Sequence, residues 1–462
     1  MTIFDFIEEH AQKRPDSAAL KDGTRTVTYM ELYWHINRCS FFLQENKCFS
    51  GVTVILKARR QLDWVMMFLC LLNQGCWVVP VPGGVQDKEL DNIIEVTKAS
   101  VVIDEHLNCF ITADEESNRK PTKPQGDACG ILHMTSGTTS EPKFCIRTLN
   151  SLTAEGLSYK STFRISEKDK ILNIPPLYHS YALGAGCFTA LVSGACLYVI
   201  DRFMPREALR IVEAEEVTMM IVVPVIARVI CNTYSQQQTK LCSLRIVLVG
   251  AGAITKEIYD KFLERFGIAL MSNYGSTETG GIVSRKEPHP AASVGKPMDG
   301  VEIKVKDENM CNVPVGENGE LWVKCAGMLQ GYMGIPGTVT DSEGYFPMGD
   351  IVMQDKDGYI YINGRIKSII NVGGKKVNPY EVEEVLLGIL GVKECVVFGV
   401  KKASGEEAVK AVLVTEGIDE EGIRKYCFSR LSGHKIPSII EVREMIPRNG
   451  LGKIKKEDLM KG

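Results

Sequence analysis

Thr135-Ser136-Gly137-Thr138-Thr139-Ser140-Glu141-Pro142-Lys143 decides the reading of this chain. Small and hydroxyl-bearing residues run together, followed by an acid, a proline that fixes φ, and a lysine. The segment before it, Gly130-Ile131-Leu132-His133-Met134, predicts a strand, so a polar loop leaves a strand end. Such a loop can turn backbone N–H groups and hydroxyls around phosphate oxygens while the lysine offsets their charge. The spacing is not that of a Walker phosphate loop. Taken alone, the stretch also reads as a Ser/Thr-rich surface turn.

Motifs further along the chain narrow the choice. They are Asn273-Tyr274-Gly275-Ser276-Thr277-Glu278; Tyr345-Phe346-Pro347-Met348-Gly349-Asp350; the run from Gly364-Arg365-Ile366-Lys367 through Gly373-Gly374-Lys375-Lys376-Val377; and Pro447-Arg448-Asn449-Gly450-Leu451-Gly452-Lys453. With the first loop, and in this order, they resemble the adenylate-forming superfamily of acyl- and aryl-CoA synthetases, luciferases and adenylation domains. The pattern is most similar to acyl- or aryl-acid CoA ligases. The resemblance covers nearly the whole chain, and motifs in sequence are far more specific than any one alone.

Composition is consistent with an enzyme of that size and excludes some partners. At 462 residues the chain exceeds one ordinary core, so two or more domains are expected. A net charge of -3 with dispersed lysines and arginines gives no nucleic-acid signal. The fifteen cysteines show no Cys-x-x-Cys pair and no zinc-type spacing, which predicts free thiols in a reducing compartment. No secretory signal opens the chain, and the apolar run from Trp64 to Val81 is interrupted by Asn73-Gln74-Gly75. It predicts a buried helix followed by a buried strand, not a membrane span. The expected location is the cytoplasm.

Strand-like runs recur at residues 53–56, 77–81, 100–103, 130–134, 170–174, 196–199, 219–223, 245–249 and 270–273, mostly separated by helical patterns. This alternation predicts an α/β fold whose large N-terminal domain carries mainly parallel sheets with flanking helices. From about Val294, short strands and Gly-rich turns predict a β-rich subdomain. A small, mobile C-terminal α+β domain is expected to follow. The boundary falls between Ile366 and Lys367, giving domains 1–366 and 367–462.

The resemblance implies roles for particular residues. Activating a carboxylate brings two anions together and needs positioned donors and cations. Thr135, Ser136, Gly137, Thr138, Thr139 and Lys143 would hold the ATP phosphates. With Asn273 and Gly275 beside it, Tyr274 would stack on adenine. Thr277 would donate to the α-phosphate, and Glu278 would hold Mg²⁺. Asp350 would accept the ribose hydroxyls, with Arg365 near the ribose or phosphate. Lys453 would stabilise the transferring phosphate. Lys367 marks the hinge about which the small domain would rotate between half-reactions, and Gly373 and Gly374 would border the thiol's approach. Departures from the family pattern are Ser140, Phe144 and Met348, each replacing a usual glycine or threonine. As isolated motifs, the same residues also read as turns, a linker lysine and a solvated tail lysine.

Residues 174–184, with Tyr178-His179-Ser180-Tyr181 and Gly184, resemble the start of an acyl pocket. His179 would line it or gate the thiol channel, though a lone histidine in an apolar run is more often packed. Gly250, Ala251, Gly252 and Gly280 would supply further walls. No acid lies between Leu172 and Tyr198 to pair with a substrate ammonium, so an α-amino acid is disfavoured and an aryl or short to medium acyl chain is expected. The acceptor is coenzyme A, or alternatively the phosphopantetheine of a carrier protein. A distant alternative is a nicotinamide-dependent dehydrogenase, from Val249-Gly250-Ala251-Gly252, but position 255, where its third glycine belongs, is Thr255.

Overall fold

The computed structural model describes residues 1–112, 126–135, 143–233, 241–284, 292–402, 406–447, 454 and 456–460. It divides into two compact units. The first comprises Met1–Ala291, Gly295–Glu302 and Lys324–Phe346, and the second Ala292–Val294, Ile303–Val323 and Pro347–Gly462.

The first unit is built on two large sheets. Among the described residues, one has nine strands in the order Lys296–Pro297, Gly280–Ser284, Leu270–Ser276, Ile246–Val249, Met219–Val222, Lys170–Asn173, Cys196–Val199, Ala18–Lys21 and Thr26–Thr28. Pairing is parallel from Ala18–Lys21 through to Leu270–Ser276. These inner strands read as continuous apolar runs because both faces are covered; Met219–Val222 and Ile246–Val249 are buried at every position. The seven-stranded sheet places Gly130–Thr135 between Lys143–Thr148 and Trp77–Pro82.

Local chemistry sets the helices. Tyr29–Glu45 begins at a reciprocal cap: Thr28 Oγ1 accepts from Glu31 N–H at 3.2 Å, and the Glu31 carboxylate accepts from Thr28 N–H at 2.8 Å. The apolar run at Trp64 resolves into the helix Gln61–Asn73 and the strand Trp77–Pro82. This helix is apolar almost all round because it is buried, with the Trp64 and Phe68 rings stacked at 5.0 Å. Among the described residues, no helix is long and apolar enough to cross a membrane.

In the second unit, Phe346–Gln354 and Ile360–Arg365 pair antiparallel. A three-stranded sheet of Val392–Lys401, Glu407–Thr415 and Ile439–Val442 packs with the helices Pro379–Leu387 and Glu420–Phe428 around Val382, Leu386, Val397, Ala411 and Ile423. The fold is therefore the expected mixed α/β one. Residues 366 and 367, where the sequence places its boundary, lie in the 3₁₀ turn Ile366–Ser368.

Candidate active site

In open α/β sheets, binding groups collect beyond the carboxyl ends of parallel strands. The first unit follows that rule. Tyr178 and His179 lie beyond Lys170–Asn173, Gly250 directly follows Ile246–Val249, and Asn273 to Glu278 span the last residues of Leu270–Ser276 and the turn after it. The last strand is where pairing switches. It runs parallel to Ile246–Val249 over Leu270–Ser272 and antiparallel to Gly280–Ser284 from Asn273 onward, with an irregularity between Tyr274 and Gly275.

The turn of that hairpin is held from several sides. Asn273 Oδ1 accepts from the buried Tyr159 hydroxyl at 2.9 Å. The Thr279 hydroxyl accepts from Ser276 N–H, and Ser276 Oγ accepts from Glu278 N–H, both at 3.2 Å. The Thr277 carbonyl accepts from the Cys145 thiol, and the Glu278 carbonyl from Leu329 N–H at 2.7 Å. Glu278 Oε1 accepts from the Tyr332 hydroxyl at 3.0 Å, and burial together with this carboxylate pushes the phenol pKa up. Thr277 and Glu278 are thus presented on a braced turn. A carboxylate so oriented offers the hard oxygen that a magnesium ion requires.

The phosphate-type loop starts from an equally firm base. Thr135 and Lys143 face each other as the last pair of an antiparallel hairpin, and Thr135 Oγ1 donates to the Lys143 carbonyl at 3.2 Å. Ser136, Gly137, Thr138, Thr139 and Ser140 lie outside the described residues, as does Lys453. Phe144, which departs from the family pattern, is a core residue packed among Val79, Val81 and Leu132.

The candidate acyl-pocket residues come together in part. The Tyr181 hydroxyl donates to the Leu248 carbonyl at 2.8 Å, and its ring lies so close to Gly250 that a Cβ there would meet it at 2.6 Å. His179 precedes the helical turn Ser180–Ala182 and packs its ring on Tyr178, with centroids 4.3 Å apart. Gly184 lies in a π-helical segment, Leu183–Phe188, a form often found at functional sites. Ala251 and Gly252 are exposed, and Ala251 adopts φ 61°.

Three buried neighbours of these residues were not anticipated from the sequence. Glu155, on the helix Leu149–Phe163, is buried and approaches both Gly184 and Gly280; added Cβ atoms there would lie 2.1 and 2.3 Å from its carboxyl group. Its Oε1 accepts from Gly281 N–H at 3.1 Å, and Arg147 pairs with it at 2.9 Å while donating to the Gly327 carbonyl at 2.7 Å. An acid therefore does stand beside the pocket residues, but it comes from another helix and is already neutralised by Arg147. His133, two residues before Thr135, is also buried. Desolvation, then Arg147 and His179, bring its pKa down to about 3, so the ring is neutral. The available signal was a charged or imidazole residue inside an apolar run, which spacing cannot assign to a partner.

Considered by itself, the second unit holds the other candidate groups. Asp350 and Arg365 are cross-strand partners; Arg365 Nε donates to Asp350 Oδ1 at 2.6 Å. Asp350 is buried and Arg365 mostly exposed, so the guanidinium holds the carboxylate from its open side. Met348 is a buried strand residue. Lys367 is exposed in the turn Ile366–Ser368. Gly373 and Gly374 have φ of 57° and 82° and join Ile370–Val372 to Lys375–Val377 in a two-residue hairpin, which requires positive φ at both positions. The segment that carries Lys453 is anchored on both flanks: Ile446 before it and Ile454 and Leu459 after it pack with Val396, Phe398 and Val412. The buried Lys410 ammonium donates to the Leu459 carbonyl at 3.0 Å and pairs with Glu441 at 2.8 Å.

This geometry agrees with sequence comparison. Residues 7–333 match the family described as AMP-binding enzyme, and residues 381–453 match the AMP-binding enzyme C-terminal domain. The chain belongs to the AMP-binding enzyme family. It is similar to a feruloyl-CoA synthase from Amycolatopsis sp, 29% identical over 475 residues with 97% of this chain and 96% of the relative covered. A probable CoA ligase, CCL9, from Humulus lupulus is 30% identical over 502 residues, covering 99% of this chain and 95% of the relative. Among solved structures, ATP-bound MatB from Rhodopseudomonas palustris shares the fold with a TM-score of 0.89 at 22% identity, covering 100% of this chain and 99% of that one. The chain is an acid–thiol ligase of the AMP-forming kind. The strand and turn at 246–252 lie within the AMP-binding match, and Thr255 caps the following helix by accepting from Ile258 N–H.

Proposed function

We propose that this protein joins an aromatic or short acyl acid to coenzyme A, using the residues named above. The carboxylate oxygen attacks the α-phosphorus of ATP and pyrophosphate leaves; the coenzyme A sulfur then attacks the acyl carbonyl and AMP leaves. Thr135, Lys143 and the hydroxyl-rich loop between them hold the phosphates, Tyr274 the adenine, and Asp350 with Arg365 the ribose. Thr277 donates to the α-phosphate. Magnesium, bound through Glu278, would supply charge neutralisation of the phosphates. Lys453 stabilises the charge that develops on the transferring group.

The observation that carries this reading is the braced Asn273–Glu278 turn at the carboxyl end of a parallel sheet, in a chain whose family match spans residues 7–333. Relatives named as CoA synthase and CoA ligase support coenzyme A as the acceptor, and the name feruloyl-CoA synthase supports an aromatic acid. The Tyr181 ring packed against Gly250 supports an aromatic or short acid. On this reading residues 1–366 bind ATP and acid, while 367–462 turn about Lys367 between half-reactions and bring Gly373 and Gly374 to the thiol's path. The free cysteines support a reducing location such as the cytoplasm.

A panel of aromatic and aliphatic acids in a pyrophosphate-release assay, with and without coenzyme A, tests the proposal. Acyl-CoA formation from an aromatic or short acid is expected. Adenylation with no turnover on free coenzyme A would instead favour a carrier-protein thiol as acceptor.

A further inference from the structure

Spacing along the sequence gives no metal-binding cluster, yet the fold of the first unit assembles one. His35 and Cys39 lie four residues apart on the helix Tyr29–Glu45 and so share a face. Cys70 comes from the neighbouring helix Gln61–Asn73. One ligand atom from each of the three, an imidazole nitrogen and two sulfurs, lies within 4.8 Å of the others. We propose that His35, Cys39 and Cys70 form a binding site for a thiophilic divalent cation, zinc first among them, separate from the adenylating site.

The donor set decides the class of ion. Two thiolates and one imidazole suit zinc, while magnesium and calcium take oxygen ligands. Binding releases two protons to solvent, and two thiolates neutralise the ion's charge, so the filled site is neutral overall. Burial increases from His35, which is exposed, through Cys39, which is partly buried, to Cys70, which is fully buried. Three protein ligands with one outward side leave the fourth tetrahedral position to water or another exchangeable ligand.

The helices are held in register without the ion. On one side of the cluster Ser40 Oγ donates to Gln74 Oε1 at 2.7 Å, linking the residue after Cys39 to the cap of the helix that carries Cys70. On another side Arg25 and Asp63 form an ion pair whose charges both act on the His35 ring. The three ligands are therefore gathered before metal arrives, and a bound ion would clamp the two helices that carry them.

The test uses the full-length protein, reduced and freed of metal, titrated with Co²⁺ as a spectroscopic probe and then with Zn²⁺. The expected result is one equivalent of Co²⁺ with a thiolate-to-cobalt charge-transfer band, displaced by Zn²⁺, and a rise in Tm on adding Zn²⁺. His35→Ala, an exposed position that should leave folding intact, should weaken Zn²⁺ binding by more than about tenfold. Cys39→Ser should remove the high-affinity equivalent, and adenylation should be unchanged in both variants. The proposal is overturned if the wild type shows no charge-transfer band, or if the band persists unaltered in both variants and so belongs to other cysteines. A Cys39–Cys70 disulfide in protein alkylated at the moment of lysis would overturn it as well.

Discussion

Arg147 and Glu155 form an ion pair at 2.9 Å that is closed to solvent on both sides. It ties the strand Lys143–Thr148 and the helix that follows it, Leu149–Phe163, to two groups distant in sequence, the Gly327 carbonyl and the Gly281 N–H. Removing one member strands the other in a medium that solvates charge poorly, which costs about 3–5 kcal/mol. Arg147→Met should therefore destabilise the protein severely in urea unfolding. Glu155→Leu should do the same, whereas Arg147→Met combined with Glu155→Leu should recover much of the loss. Equal damage in the double variant and the single ones would mean that the charges are not the main term.

His133 gives the first unit an acid sensitivity. Its folded pKa is near 3, against an ordinary value of 6.5, because burial and the Arg147 charge oppose protonation. Below pH 6.5 the unfolded chain takes up a proton that the folded chain refuses, so stability falls as pH falls from 6.5 towards 3. The full effect is roughly 5 kcal/mol, reached near pH 3. His133→Gln should flatten this limb of the stability–pH curve. A curve of unchanged slope between pH 6 and 4 would contradict it.

Lys453→Ala should cripple adenylation and spare thiolysis of a preformed acyl-adenylate. Lys410→Met should produce a milder form of the same split, because Lys410 holds the Leu459 carbonyl beyond the segment that carries Lys453. Both half-reactions can be followed separately, by pyrophosphate exchange and by AMP release from added adenylate. Parallel loss of both would remove the link between this anchor and the role proposed for Lys453.

Asp350→Ala should weaken ATP binding by about 1–3 kcal/mol, the worth of hydrogen bonds to a charged group. It also leaves Arg365 without its 2.6 Å acceptor, so Asp350→Asn is the better control. Unchanged nucleotide affinity by calorimetry in both variants would rule out the ribose role.

Much of this fold could be read in the sequence because its strands are short, apolar and evenly spaced. The expected strand at 219–223 is Met219–Val222, and the helix-then-strand reading of the Trp64 run holds as Gln61–Asn73 and Trp77–Pro82. Motif residues such as Asn273 and Asp350 could be named because local order marks them. Arg147, Glu155 and His133 could not, since each gains its meaning from a partner on another element. Cys39 and Cys70 illustrate the same limit: 31 positions separate two sulfurs that the packed helices make neighbours.

The π-helical segment Leu183–Phe188 has one further effect. Such a bulge amounts to one surplus residue in an otherwise α-helical path, and one residue is worth about 100° of helical rotation. Excising a single position from this segment would rewind it and swing the preceding turn, with the Tyr181 phenol, away from the Leu248 carbonyl it now reaches. The dial that aims the Tyr181 ring is thus set by chain length and not by side-chain identity; if Tyr181 lines the acid pocket as proposed, a one-residue deletion there would redirect acid selectivity more than most point substitutions.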